Sequence, residues 1–296
     1  MLPQKVSKRM ANAFTRKNSH ELESTIPKEL RTAFYRKHAP KSGCCGLTEL
    51  LKLYAWTLTG FHRVVHLDTD SLVLGNMNEL FEMDASLVYT CDYNMMNARI
   101  REKKPGVPCA VQGGFVVVKP SFEVFDGMLE IVREGKFGAG FKLGASGWNG
   151  TGIGHWWGGA TFQGVVPFYY EKVADSRRFP AMEVDRCIYD NMVDDPINPP
   201  PRKGGRDCRA TPLADIKNVH FTLCQKPWNC GWPEQPGDEK QHLCKSLHGR
   251  WMELREKIMA KLSITSDLTE VPPEKLALWH RGGCWKGKYR PYAPLV

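Results

Sequence analysis

Three observations in the 296-residue sequence predict an α/β fold. β-Prone runs alternate with segments of helical period, as at 63–67 after 47–58 and at 115–118 before 122–132. The run Arg63-Val64-Val65-His66-Leu67 passes straight into Asp68-Thr69-Asp70, so a strand stops on two carboxylates. A second polar group returns far downstream, His220 on another short strand and Lys226 six residues beyond it. Ligands of such sheets sit beyond strand C-termini, where these acids fall.

The elements follow in order. Residues 1–42 are polar and weakly periodic and are set apart as a poorly defined segment, leaving 43–296 as one domain. Leu47, Leu50, Leu51, Tyr54 and Leu58 predict a helix with Thr48 as N-cap and Gly60 as its stop. After strand 63–67 comes the short apolar run Leu72-Val73-Leu74, then a short capped helix from Asn76 to Phe81. Leu87 to Thr90 predicts a strand ending at Asp92, and Phe115 to Val118 a buried one closed by Pro120. Ser121 then caps a helix with Phe122, Phe125, Leu129 and Val132 on one face. A glycine-rich stretch runs to Gly164, followed by Val165 to Tyr169 as strand. Pro196 to Arg209 reads as an exposed loop, and Val219 to Phe221 as a late strand. Leu247, Trp251, Leu254, Ile258 and Leu262 make one amphipathic helix.

Composition narrows the function classes. A 42% hydrophobic share with 25% charged residues is that of a globular protein. The net charge of +9 is dispersed, with no basic run interleaved with aromatics, so a generally basic surface is favoured over a nucleic-acid site. No segment has the apolar run of a membrane span; 143–170 lacks charges but is too rich in glycine. The ten cysteines show no zinc-finger spacing. Buried thiols and disulfides of a secretory lumen both remain open, the second weakly supported by the Asn149-Gly150-Thr151 sequon. Met1 to Lys17 is basic and acid-free, loosely like a transit peptide, and lacks the apolar core of a signal peptide. The compartment is left between Golgi or secretory lumen and cytoplasm.

The chemistry concentrates at the acids. An Asp-x-Asp pair alone is usually a solvated turn. Two carboxylates plus an imidazole at a sheet rim suit Mn²⁺ or Mg²⁺ with positions left for phosphate oxygens. Lys226 adds a charge for a phosphate, and Lys52 sits in the preceding helix. Trp148, Trp156 and Trp157 lie among glycines, where core packing is the commoner fate and stacking on a sugar the sharper one.

These motifs resemble glycosyltransferase family 8, the glycogenin-like retaining transferases. The resemblance runs through Leu51 to Trp56, His66 to Leu74, Asn76 to Phe81, Gln112 to Ser121, Gln163-Gly164, His220-Phe221 and Lys226-Pro227-Trp228. The Cys44-Cys45-Gly46 run and the Gly-rich aromatic insert are similar to algal and protist members. The resemblance implies a GT-A-like α/β/α sandwich moving a hexose from a UDP-sugar to a carbohydrate or glycoconjugate acceptor. It also implies metal ligation by Asp68, Asp70 and His220, and donor contacts from Lys52, Thr69, Gln112, Gly113 and Lys226. Asp92 and Gln163 fall where the family contacts the donor sugar or acceptor, and are the candidate catalytic pair. Two departures stand out. Phe162 replaces an aspartate, and nothing in 1–41 resembles the family's opening strand, so the chain is expected to lack its first strand and to be part of a longer product. The rival readings are a non-catalytic relative that binds nucleotide and metal only, and a basic RNA-associated protein.

Overall fold

Alternation along one strand sets the layers of the molecule. The structure, a computed structural model, describes residues 30, 32–33, 46–93, 95, 108–139, 146–193, 207–224, 226–227, 242–261, 282–285 and 288–291. A helix wound as 3₁₀ turns, Gly46–Thr57, comes first, then β1 (Val64–Leu67), β2 (Ser71–Val73), β3 (Leu87–Cys91) and β4 (Val111–Val118). Helix α1 (Phe122–Glu134), β5 (Phe137–Ala139), β6 (Ser146–Trp148), α2 (Phe162–Phe168) and β7 (Ala181–Glu183) follow. After α3 (Arg186–Tyr189) come β8 (Asn218–His220), α4 (His242–Lys261), and the strands β9 (Gly282–Trp285) and β10 (Lys288–Pro291).

The main sheet has the strand order β1-β4-β3-β7. β4 pairs antiparallel with β1 and β3, and β3 pairs parallel with β7. Val116 and Val118 face a large core shared with the 3₁₀ helix, α1 and α2, while Phe115 and Val117 face a smaller cluster with Leu80 and Val88. A strand covered on both faces reads as a continuous apolar run, which is why Phe115 to Val118 shows no polar alternation. Leu30 is fully buried in the large core. A third cluster packs Val219 and Phe221 against Leu243 and Leu247 of α4. Ser121 Oγ accepts from Val124 N–H at the start of α1, and Gly135, at φ 60°, closes it.

Several expectations need correction. Val165 to Tyr169 is not a strand: it lies in α2 and the π turn Tyr169–Val173 that continues it. All seven residues of α2 are buried, so the segment has no polar face, and a short apolar run does not reveal its period. β4 begins at Val111, so Gln112-Gly113-Gly114 belongs to the strand. Thr48 lies inside the first helix, which starts at Gly46 and ends at Thr57, short of Gly60. Phe122 is 55% exposed because the inward face of α1 is set by Val124, Phe125, Met128 and Val132. Ile258 is likewise exposed, since α4 turns Leu243, Leu247 and Met252 inward. The short helix near Asn76 is a single turn, Asn78–Phe81, preceded by an Asx turn in which Asn76 Oδ1 accepts from Asn78 N–H (2.7 Å). The proline-rich loop expected over 196–209 falls mostly outside the described residues. Its described end is buried at Cys208.

Among the described residues, three disulfides join Cys91 to Cys109, Cys187 to Cys208 and Cys224 to Cys244. Of the two readings of the cysteines, the disulfide one therefore holds for these six. Among the described residues no helix is long and apolar enough to cross a membrane.

Candidate active site

The acid pair is positioned by backbone pairing on both sides. Asp68 N–H donates to Gly114 O of β4 (3.0 Å), and Ser71 N–H turns back to Asp68 O (3.0 Å). β2 then pairs antiparallel with β8, which puts His220 opposite Ser71, beside Asp70. Phe221 N–H donates to Asp70 O (2.9 Å), so the two distant segments are fastened at the site itself.

The side chains converge as that register requires. His220 Nε2 lies 3.4 Å from Asp70 Oδ1 and 3.9 Å from Asp68 Oδ2. One ligand atom from each of Asp68, Asp70 and His220 falls within 4.8 Å of the others. A Cβ at Gly114 would overlap the His220 ring, so only glycine leaves the imidazole room. Lys226 donates to Asp70 and to Phe221 O (2.8 Å). Lys52 meets Asp68 Oδ1 at 2.8 Å and Glu49 Oε1 at 3.2 Å, and donates to Gly113 O (3.1 Å). His66 Nε2 lies 3.4 Å from Asp68 Oδ1.

Burial and charge oppose one another here. Burial raises the Asp68 carboxyl, but His66 and Lys52 outweigh it and hold it below its usual range. Burial would raise Asp70 too, but His220 and Lys226 overcome it and hold the carboxyl well below its usual range. Burial alone would depress the His220 imidazolium, yet Asp190 and Asp70 together push it up to about 10. Burial also works against the Lys52 ammonium, and Glu49 and Asp68 reverse it. Asp68 and Asp70 thus keep their charge, and Lys52 and His220 their protons.

A cavity of about 840 Å³ opens on this cluster. Asp68, Thr69, Asp70, His220, Lys226, Lys52, Asp92, Gln112 and Gln163 all line it. Gly113 lies behind them, its N–H donating to Gln163 Oε1 (3.1 Å). Gln112 Nε2 donates to Asp92 Oδ2 (2.9 Å), and its Oε1 accepts from Gly114 N–H (3.0 Å). The sequence-predicted residues are therefore brought together. Trp228 lies outside the described residues. Phe162 is fully buried between Trp56 and His66, with ring centroids 6.1 and 6.4 Å away, and does not line the cavity. Of the three tryptophans, Trp148 is core, Trp156 packs against it, and Trp157, 61% exposed, lines the cavity.

Three contributors escaped sequence reasoning. Glu49 shares Lys52 with Asp68, and its i, i+3 spacing to Lys52 was a legible signal. His66 was seen only as part of the strand. Asp190 carried no signal at all, since only folding brings it to His220.

The donor set suits a divalent cation: two charged carboxylates and an imidazole nitrogen facing one point, with a buried carboxylate behind the ring. Among the described residues, the two other metal-like clusters, Cys224-Cys244-His248 and Cys91-Cys109-Glu183, draw their cysteines from disulfides and offer no thiolate.

Comparison with known proteins gives partial matches. No family model matches the chain. The chain is 34% identical over 113 residues to mouse (Mus musculus) glycogenin-1, 36% of this chain and 30% of that protein. It is 37% identical over 93 residues to "Putative glucuronosyltransferase PGSIP7" of Arabidopsis thaliana, 30% of this chain and 16% of that protein. The matches thus span less than a third of either relative's length. The sequence is, over that stretch, similar to glycogenin-like glycosyltransferases. A solved galactosyltransferase, LgtC with donor and acceptor sugar analogues, aligns at a TM-score of 0.40 and 14% identity, over 80% of this chain and 74% of that one.

Proposed function

We propose that the chain is a metal-dependent retaining glycosyltransferase of GT-A type, moving a hexose from a UDP-sugar to a carbohydrate or glycoconjugate acceptor. The observation that carries this is the convergence of Asp68, Asp70 and His220 with Lys226 and Lys52 on one cavity wall. Breaking a sugar–phosphate bond develops negative charge on the leaving diphosphate. Asp68, Asp70 and His220 would hold a divalent cation, Mn²⁺ or Mg²⁺, which would supply Lewis-acid stabilisation of that charge. Lys226 opposes the same charge from the neighbouring side and leaves its contact with Asp70 to do so. Lys52 keeps Asp68 ionised and oriented. Gln163 and Asp92 line the wall where the donor sugar and the attacking acceptor meet, and Gln112 holds Asp92 in place.

Three disulfides fit an oxidising compartment, which favours the secretory lumen. One observation favours the non-catalytic rival: Phe162 fills core where the family carries an aspartate. Two experiments separate the readings. UDP is expected to raise the unfolding temperature only with Mn²⁺, and Asp70→Ala to abolish the effect without unfolding the protein. A UDP-sugar hydrolysis screen then separates enzyme from relic. Equal protection by RNA and none by UDP would reject the proposal.

A further inference from the structure

We infer that Asp190 is a positioning residue that holds the His220 ring so that Nε2 faces the cation site. Asp190 is fully buried at the end of α3, and its Oδ1 lies 3.4 Å from His220 Nδ1. Neither atom has a hydrogen-bond partner elsewhere among the described residues. Two buried polar atoms left facing each other are each other's compensation, because water cannot reach either. The other carboxylate oxygen, Oδ2, accepts from Thr90 Oγ1 on β3 (2.9 Å). That bond prevents the carboxylate from turning away.

The backbone makes the same connection. Asn191 N–H donates to Asn218 O (3.1 Å), and His220 N–H to Asn191 O (3.0 Å), so the residue after Asp190 is bound to β8 on both sides of Val219. Gly114 supports the imidazole from the sheet. The ring is therefore confined between β4 and Asp190. With an acceptor at Nδ1 the neutral ring keeps its proton there and turns the Nε2 lone pair toward Asp68 and Asp70. Carboxylates behind metal-bound histidines work in this way, and losing one typically costs 10–100-fold in metal affinity.

The inference rests on the metal-dependent reading above, and calorimetric titration of Mn²⁺ into the metal-free full chain tests the two separately. If the unsubstituted protein binds no Mn²⁺, the clamp itself is wrong and the inference falls with it. If it binds, Asp190→Ala is expected to weaken Mn²⁺ by roughly 10–100-fold. Asp190→Asn, whose amide oxygen still accepts from Nδ1, restores most of that loss. A purely structural role predicts no such rescue in affinity at unchanged unfolding temperature. Wild-type affinity in Asp190→Ala, or equal loss in both variants, overturns the inference. Should Asp190→Ala fail to fold, Thr90→Val frees the carboxylate without removing it. That variant is expected to bind Mn²⁺ more weakly, and unchanged binding would count against the role.

Discussion

Lys52 and Asp68 are 16 residues apart in the chain and their charged atoms are 2.8 Å apart in space. The contact fastens the 3₁₀ helix to the end of β1, and Lys52 keeps only 12% of its side chain exposed in making it. Removing the ammonium leaves Glu49 and Asp68 as partly buried acids with their shared cation gone. Lys52→Ala is expected to lower stability by about 1.5–3 kcal/mol, the range for hydrogen bonds to charged groups. It should also weaken Mn²⁺-dependent UDP binding, because Asp68 loses a group that keeps it ionised. Denaturant unfolding and calorimetry read the two effects separately.

Lys226 differs, being bound to Asp70 from a position followed by the rigid Pro227. If it stabilises charge that develops only as the sugar leaves, Lys226→Ala lowers kcat by roughly 10²-fold with a smaller change in donor KM. A variant with raised KM and intact kcat would show uniform binding and contradict that role.

Gly114→Ala tests the space around His220 directly. The new methyl must displace the imidazole or the β4 backbone, both buried, which costs about 1–3 kcal/mol. The expected outcome is a folded protein with greatly weakened Mn²⁺ binding. Native affinity would mean that the ring moves without consequence.

The parts of the fold and site that were legible share a physical cause. Asp68, Asp70 and His220 stand at the ends of short apolar strands, and strand ends deliver side chains to a rim whatever the rest of the fold does. α1 was legible from its Ser121 cap and amphipathic spacing. α2 was not, because a helix buried on every side erases the polar face that marks a period, and Val165-Val166 then reads as strand. Asp190 was invisible for a different reason. It owes its role to β8 and β3, and no local spacing encodes a partner on another strand.

The ionised cluster gives the metal-free protein a defined pH response. His220 is raised to about 10, above roughly 6.5 for the unfolded chain, so its contribution is complete below about pH 6.5 and lost as the pH climbs through 10. Asp68 and Asp70 are depressed, so theirs is present above about pH 3.9 and lost as the pH falls through their folded values. Stability from these groups is therefore greatest between about pH 4 and 6.5. In chelator, the unfolding temperature is expected to decline from pH 7 to 10, and His220→Gln to flatten that slope. An unsubstituted protein with no decline would contradict the pairing of His220 with Asp190 and Asp70.

Trp157 places an aromatic face on the cavity wall, away from the core that takes Trp148 and Trp156. Its backbone is held by the site: Gln163 Nε2 donates to Trp157 O (3.5 Å) while Gln163 Oε1 accepts from Gly113 N–H. Gly158 follows at φ 74°, where a Cβ would collide with the Gln163 amide, so the turn that presents the indole depends on glycine. An exposed indole beside a polar cavity offers a flat surface to the C–H face of a sugar. The charged groups lie with the clamp, so an indole that serves an uncharged acceptor would leave a diphosphate to the lysines. Trp157→Ala is expected to raise the acceptor KM by roughly 2- to 13-fold, equivalent to about 0.5–1.5 kcal/mol of aromatic contact. UDP protection and donor hydrolysis should stay unchanged, because no group that holds the cation or diphosphate is touched. A variant that loses UDP protection along with acceptor binding would place Trp157 in the donor site instead.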